Sequence, residues 1–463
     1  MTETTPDWIA EQLVNVVRAD AILRSNQVAA LDAGANGDNT GAGLAIRPVN
    51  TDEVSAILDC CNAHGIPVVT HGGRTGLAGA AASRPGEVIL LTDRLEGGIQ
   101  IDPVERVATV SAAVTQQAVQ EAAAAHGLSM GIDTASRGSA TVGGMISTNA
   151  GGMEAFRYGM MRQRLLGIEA VLADGTVFSD LTRVSKANEG YDLKHLLCGA
   201  EGTLGVVTKA VLKLERAEPE SKTILLAVPG AASALRLMWA VDGTGGLLLC
   251  EMMWHDYAEA AAAGTGLSNV LAFCPEAPAY LIIESTLQED DLLSVLAPFF
   301  ENGDIQDAVL AKSDKEAGEI WRLREDSQAA ARTIKNPLWY DVSIPLSRLD
   351  TYVTGFEDRL DAIAPDARHH VIAHLGDGNL HISVGRAVPW NTDEKEQVNQ
   401  AVEHGVKAMG GAVSAEHGIG TFKLGTFARN TTPGNLAAMR AIKAALDPNG
   451  ILNPGKVIPD PSS

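Results

Sequence analysis

Two short segments carry residue types that could do chemistry together. One is Ser414-Ala-Glu-His-Gly-Ile-Gly420, which holds Glu416 and His417; the other is His374-Leu-Gly-Asp-Gly-Asn-Leu-His381. Two imidazoles and a carboxylate make a divalent-metal site with open positions, and imidazole suits zinc, iron or manganese. A third imidazole beside the carboxylate would stand ready to take a proton. Residues 371–374 and 380–384 are short apolar runs around Gly-Asp-Gly-Asn, a turn composition, so they read as a hairpin. If Leu375 faces Leu380 across the turn, His374 faces His381, because cross-strand neighbours project on one face. Any one of these histidines alone reads as an ordinary buried or surface residue. Together, with Gly376, Gly378, Gly418 and Gly420 allowing close approach, they favour a functional site. The residues alone leave Glu416 and Asp377 both open as the carboxylate, although Asp377 in a turn reads as a turn-former.

A second kind of chemistry lies in three glycine-rich stretches. Pro67-Val-Val-Thr-His feeds Gly72-Gly-Arg-Thr-Gly-Leu-Ala-Gly79; Ser139-Ala-Thr-Val-Gly-Gly-Met-Ile-Ser-Thr-Asn-Ala-Gly-Gly152 follows, then Gly199-Ala-Glu-Gly-Thr-Leu-Gly-Val-Val-Thr208. Bare backbone amides in such loops can cradle an anion. The spacing is neither that of the Rossmann fingerprint nor of the P-loop, since the only Gly-Lys pair, Gly455-Lys456, is followed by Val457. One such loop is a weak signal, but three imply an extended phosphate-bearing ligand.

The elements that must position these residues form an α+β pattern. Residues 8–18 read as an amphipathic helix and 33–43 as a small-residue loop. Thr51 is expected to cap a second helix that buries Val54, Leu58 and Cys61 and stops at Gly65, before a strand over 66–70. Residues 107–113 read as a strand, 116–125 as a helix, and 168–178 as a hairpin about Ala173-Asp-Gly175. From about Thr223 strands at 224–228, 247–253 and 280–285 alternate with acidic-faced helices, and Pro219 marks the boundary. A last helix is expected over 436–446.

Composition narrows the class. A chain of 463 residues with 46% hydrophobic content predicts two or three domains with sizeable cores. A net charge of −21 argues against a nucleic-acid partner and would repel an anionic substrate at long range, so a locally cationic pocket is needed. Five cysteines, Cys60, Cys61, Cys198, Cys250 and Cys274, without C-x-x-C spacing suit a reducing compartment. With no basic-apolar leader and no apolar run long enough to span a bilayer, a cytoplasmic protein without an integral membrane segment is expected.

Taken in order, the loop at 72–79, Gly143-Gly144, Thr148-Asn-Ala-Gly-Gly152, Glu201-Gly-Thr-Leu-Gly205, the two histidine segments and Asn453-Pro-Gly-Lys456 resemble the FAD-linked D-2-hydroxyacid dehydrogenases of the vanillyl-alcohol oxidase flavoprotein superfamily. The resemblance runs from about Arg47 onward. It implies an FAD-binding domain over residues 1–218, a cap domain with an antiparallel sheet, helices and the metal site over 219–426, and a segment over 427–463 that returns to the FAD domain. It places FAD on Gly72, Gly73, Arg74, Thr75, Gly76, Leu77, Gly79, Ser139, Thr141, Gly144, Asn149, Val207 and Asn453. Some relatives attach the flavin through a histidine directly after the paired glycines; Arg74 stands there, so non-covalent FAD is expected, with His71 a structural or flavin-edge residue.

The resemblance makes His374, His381 and Glu416 the ligands of a divalent ion, zinc or else manganese or iron. It implies oxidation of a D-2-hydroxy acid, with hydride passing to flavin and His417 as general base. Arg324 matches the arginine that holds the substrate carboxylate; the plainer reading makes it one of several solvated helix charges near Glu325 and Asp326. At the other substrate positions this chain departs from hydroxyglutarate-oxidising relatives: Trp339 stands for Lys, Gln328 for Thr and Ser383 for Asn. Losing a cation weakens the case for a second carboxylate on the substrate and makes a monocarboxylic 2-hydroxy acid at least as good a fit, unless another residue replaces the charge. The electron acceptor would be a quinone, an electron-transfer flavoprotein or another carrier, and a homodimer is one assembly open to the chain. The rival functions are a flavin subunit of a glycolate-oxidising complex and an alkyl-glycerone-phosphate synthase-like transferase; Glu416, where the latter have a histidine run, argues against the transferase.

Overall fold

A computed structural model of the chain describes residues 7–14 and 16–459. The backbone divides into two units, Met1–Ala217 with Glu416–Ser463, and Glu218–Ala415. The chain thus re-enters the first unit at Glu416, earlier than the expected 427.

In the first unit, helix α1 (Thr51–Ala63) buries Val54, Ile57, Leu58 and Cys61. Its N-cap is Asn50, not Thr51: the Asn50 side chain accepts from the Glu53 N–H, while the Thr51 hydroxyl donates to the Glu169 carboxylate at 2.6 Å. The first helix is Asp7–Leu13, shorter than the expected 8–18. The Leu13 carbonyl accepts from Val16 and Val17 in a closing turn, where two β-branched residues disfavour further helix. After Gly65, at φ +65°, strand β1 (Val68–His71) joins a four-stranded sheet and pairs in parallel with Val88–Leu91. Helix α2 (Val142–Thr148), capped by the Thr141 side chain, packs against β2 (Val206–Lys213), the central strand of a five-stranded antiparallel sheet. The C-terminal tail closes on β1: Val68 N–H donates to the Ile451 carbonyl and Asn453 N–H to the Val68 carbonyl. The terminal helix, Pro433–Leu446, is capped by Thr432 with proline at its start.

The second unit is built on a seven-stranded, wholly antiparallel sheet. Strand β3 (Leu247–Trp254), helix α3 (Asp314–Glu325), and strands β4 (Leu338–Ser343), β5 (Arg368–His374) and β6 (Asn379–Gly385) carry the chemistry. The strands lie in the order β3-β5-β6-β4, with β4 at the edge. Among the described residues no helix is long and apolar enough to cross a membrane.

Candidate functional site

The β5–β6 hairpin forms, but its register differs by two residues from the expected one. His374 pairs with Asn379 and Ile372 with His381. Because side chains alternate with a period of two, a shift of two keeps the same face, and His374 and His381 remain diagonal neighbours. Their Nε2 atoms lie 3.2 Å apart. Two imidazole nitrogens bound to one tetrahedral zinc ion would lie about 3.3 to 3.4 Å apart, from Zn–N bonds of about 2.0 to 2.1 Å, so the pair fits a shared ion. Asp377 accepts from the Asn379 N–H at 3.0 Å, the Asx-turn role its sequence suggested.

Glu416 reaches this region by a local route. Ser343 of β4 exchanges both backbone hydrogen bonds with Ala412, at 2.8 and 2.9 Å, and the buried Asp341 carboxylate accepts from the Ala415 N–H at 2.9 Å. Asp341 is the register partner of His381, and Glu416 is the next residue after Ala415. One ligand atom from each of His374, His381 and Glu416 lies within 4.8 Å of the others.

Sequence reasoning missed Glu251. It is the register partner of His374 on β3 and only 1% exposed. Its Oε1 is 2.8 Å from His374 Nδ1, and its Oε2 accepts from Arg324 Nε at 2.7 Å. A carboxylate accepts only, so His374 carries its proton on Nδ1 and turns the Nε2 lone pair towards His381. The signal that would have found it is a lone acidic residue inside the apolar run Leu247-Leu-Leu-Cys-Glu-Met-Met. Arg324, in the last turn of α3, is therefore not a solvated helix charge: it is 6% exposed and paired with Glu251. Its Nη2 lies 3.4 Å from both ring nitrogens of His374.

The other predicted substrate residues spread outward from this core. Ser383 is buried on β6, and Trp339, its register partner on β4, is 52% exposed. Alternation puts both on the face that bears His381. Gln328 is exposed on the short helix Ser327–Ala331. Asn379, opposite His374, is buried with both side-chain amide atoms lacking a protein partner. A buried carboxamide left in that state is a ready contact for a bound polar molecule.

In the first unit the three glycine-rich stretches line one cavity. Gly72, Gly73, Arg74, Thr75, Gly76, Thr141, Gly144 and Val207 are in its wall. The stretches pack without room for side chains: a Cβ on Gly72 would sit 2.4 Å from Thr141 Oγ1, and one on Gly73 only 1.9 Å from the Ser139 carbonyl oxygen. The cradle of bare backbone, together with the buried and unpartnered Thr70 Oγ1 in the same wall, fits a dinucleotide that approaches the main chain closely. Arg74 has φ +54° and donates from Nε to the Asp32 carbonyl at 2.7 Å, so it also braces the loop.

The remaining predicted flavin residues stand outside that wall. Leu77 is exposed, Gly79 packs on Phe422, and Ser139 offers its carbonyl to the Gly73 contact. Asn149 is the left-handed cap of α2, with its side chain accepting from the Arg162 N–H. Asn453 donates to the Glu201 and Ala80 carbonyls at 2.6 and 3.1 Å, tying the tail to two stretches that reach the cavity. His71 is fully buried beneath the loop, with Nε2 2.8 Å from the Ala81 carbonyl, and burial pushes its pKa down to about 3. It is a neutral histidine, and its Nδ1 is buried without a protein partner.

Glu201, in the cavity wall, is a second missed residue. Its buried carboxylate accepts from the Ile419 and Gly420 N–H groups at 2.7 and 2.8 Å, which fixes the chain just after His417. Burial raises its pKa above the usual carboxylate range against the pull of those two donors. His417 itself is half-buried at the start of this clamped segment.

A cavity walled by bare backbone, in a chain of mixed α+β architecture, has the features of an FAD-binding fold. Fold comparison agrees: p-cresol methylhydroxylase superposes with a TM-score of 0.75 over 99% of this chain and 97% of its own at 18% identity. The 4-ethylphenol oxidase of Gulosibacter chungangensis gives 0.74 over 99% and 98%, also at 18%. Residues 42–180 match the family described as FAD binding domain, and residues 218–457 match FAD linked oxidases, C-terminal domain.

The chain is similar to the D-2-hydroxyglutarate dehydrogenase of Xanthomonas citri pv. viticola, 34% identical over 427 residues that cover 89% of this chain and 88% of that protein. It is likewise similar to the mitochondrial D-2-hydroxyglutarate dehydrogenase of Bos taurus, 35% identical over 89% and 76% of the two chains. The chain belongs to the FAD-linked D-2-hydroxyacid dehydrogenase family, and is an FAD-linked oxidoreductase.

Proposed function

We propose that this enzyme oxidises a D-2-hydroxy acid to the 2-oxo acid, using non-covalent FAD and a divalent metal on His374, His381 and Glu416. The observation that carries the metal is the His374–Glu251 bond, which fixes the tautomer whose Nε2 meets His381 Nε2 at 3.2 Å. When bound, a divalent ion held by His374, His381 and Glu416 would supply Lewis acidity towards a hydroxyl, and FAD in the glycine-lined cavity would supply a hydride acceptor. The chain's own residues do the rest. Arg324 keeps part of its guanidinium fork for the anionic end of the substrate while Glu251 holds its Nε. His417 takes the hydroxyl proton, on a segment that Glu201 keeps in place through Ile419 and Gly420.

D-2-hydroxyglutarate, named for the relatives, is the reference substrate. Trp339, on the His381 face and beside Ser383, favours a neutral substrate side chain over one that ends in a second carboxylate. The test is steady-state kinetics with a panel of D-2-hydroxy acids and an artificial electron acceptor, on enzyme of known FAD and metal content. Turnover of D- but not L-enantiomers, lost on chelation, is expected. Turnover indifferent to the configuration at C2 would overturn the proposal.

A further inference from the structure

Glu251 touches two groups that the proposed function uses separately. One carboxylate oxygen meets His374 Nδ1 at 2.8 Å and the other meets Arg324 Nε at 2.7 Å, inside a sheet where Glu251 is 1% exposed. All three residues are buried, and Glu251 and His374 are direct register partners on adjacent strands. The main chain of Arg324 is held as well, because the buried Tyr257 hydroxyl donates to its carbonyl at 3.2 Å.

We propose that Glu251 is a positioning residue that locks the His374 ring and the Arg324 fork as one body, so that metal affinity and grip on the substrate carboxylate depend on the same side chain. The proposal rests on the metal reading above. The physical reason is the acceptor count. A carboxylate offers two acceptor oxygens, and here each serves one donor. A glutamine offers one acceptor oxygen and one NH₂ group, so it can satisfy His374 or Arg324 but not both. Its NH₂ must then confront a donor, which tilts either the ring or the fork. Outer-shell carboxylates on metal-binding histidines carry about 10–100-fold in metal affinity, which sets the scale.

The experiment compares wild type, Glu251→Gln and Glu251→Asp as full-length, FAD-loaded protein stripped of metal by a chelator. Zn²⁺ and Mn²⁺ are titrated by calorimetry, flavin occupancy is followed by absorbance, and kcat and KM for D-lactate and D-2-hydroxyglutarate are measured at saturating metal. Glu251→Gln is expected to weaken metal binding about 10–100-fold with flavin occupancy unchanged, and to raise KM more than it lowers kcat. Glu251→Asp keeps the charge but is one methylene shorter, so partial recovery of metal affinity is expected.

Metal affinity and KM within about twofold of wild type in Glu251→Gln would overturn the role of Glu251 while leaving the metal site standing. A wild type that binds neither ion would overturn the site and this inference together. If Glu251→Gln fails to retain flavin, Glu251→Asp decides: a loss of metal affinity or a raised KM supports the inference, and parity on both overturns it.

Discussion

Replacing Trp339 with lysine should redirect the enzyme towards dicarboxylic substrates. Trp339 and Ser383 are register partners on the face that carries His381, so their Cβ atoms are about 4.5–5.5 Å apart. Ser383 stands two residues along the strand from His381, so a lysine at 339 would meet the distal carboxylate of a five-carbon diacid if that end lies beside Ser383. The magnitude follows from exposure. Trp339 is 52% exposed, so an ammonium there stays half in water. Two unit charges 4 Å apart attract by about 1 kcal/mol in water and about 4 kcal/mol at an effective dielectric of 20. A half-exposed pair should sit near the lower part of that range, about 1.5–2 kcal/mol, or roughly 10–30-fold in selectivity. The assay is kcat/KM for D-2-hydroxyglutarate and D-lactate under one acceptor condition, in wild type and Trp339→Lys. The ratio should move by about tenfold towards the diacid and shrink again as salt is added. A wild type that already strongly prefers D-2-hydroxyglutarate, or a variant whose ratio does not move, refutes the reasoning.

Three further outcomes follow. Gly73→Ala places a methyl 1.9 Å from the Ser139 carbonyl oxygen, so the loop must move; FAD affinity should fall by about tenfold or more, equal to about 1.4 kcal/mol, as read by fluorescence of released flavin. Denaturing the purified yellow protein should release intact FAD into the supernatant, because the resemblance puts Arg74 where relatives with covalent flavin have a histidine; flavin remaining on the precipitated chain contradicts this. His71 is buried neutral with its folded pKa depressed to about 3, so below about pH 6.5 the unfolded chain binds the extra proton and stability falls as pH falls. For this residue alone the loss between pH 7 and 5 is about 2 kcal/mol, and His71→Asn should flatten the pH dependence of Tm over that window.

Much of this was legible from residue types and order. The His374–His381 hairpin announced itself through apolar runs flanking Gly-Asp-Gly-Asn, and the two-residue error in register was harmless because a period-two strand returns to the same face. The glycine stretches foretold a cradle of bare backbone, and the structure gathers them around one cavity. What stayed hidden was long-range. Glu251 lies 123 residues before His374, and nothing local marks a glutamate in an apolar strand as a partner rather than an anomaly. Glu201 lies 218 residues before Ile419, and its grip on that segment depends on tertiary closure of the tail. Local caps were misjudged for a simpler reason: Asn50 and Thr51 are both good caps, and the choice was made by Glu169, which takes the Thr51 hydroxyl.

The central claim is that a D-2-hydroxy acid reduces the flavin only when a divalent metal occupies the histidine site. The measurement that tests it most directly is flavin absorbance under anaerobic conditions after adding D-lactate or D-2-hydroxyglutarate, with metal-loaded, chelator-stripped and His374→Ala enzyme side by side. Bleaching of the loaded enzyme by a D-enantiomer, its absence with the L-enantiomer, and FAD that stays bound but unbleached in the stripped and His374→Ala samples are predicted. Equal bleaching with and without metal, or no bleaching by any D-2-hydroxy acid in protein that carries both FAD and metal, would contradict the account.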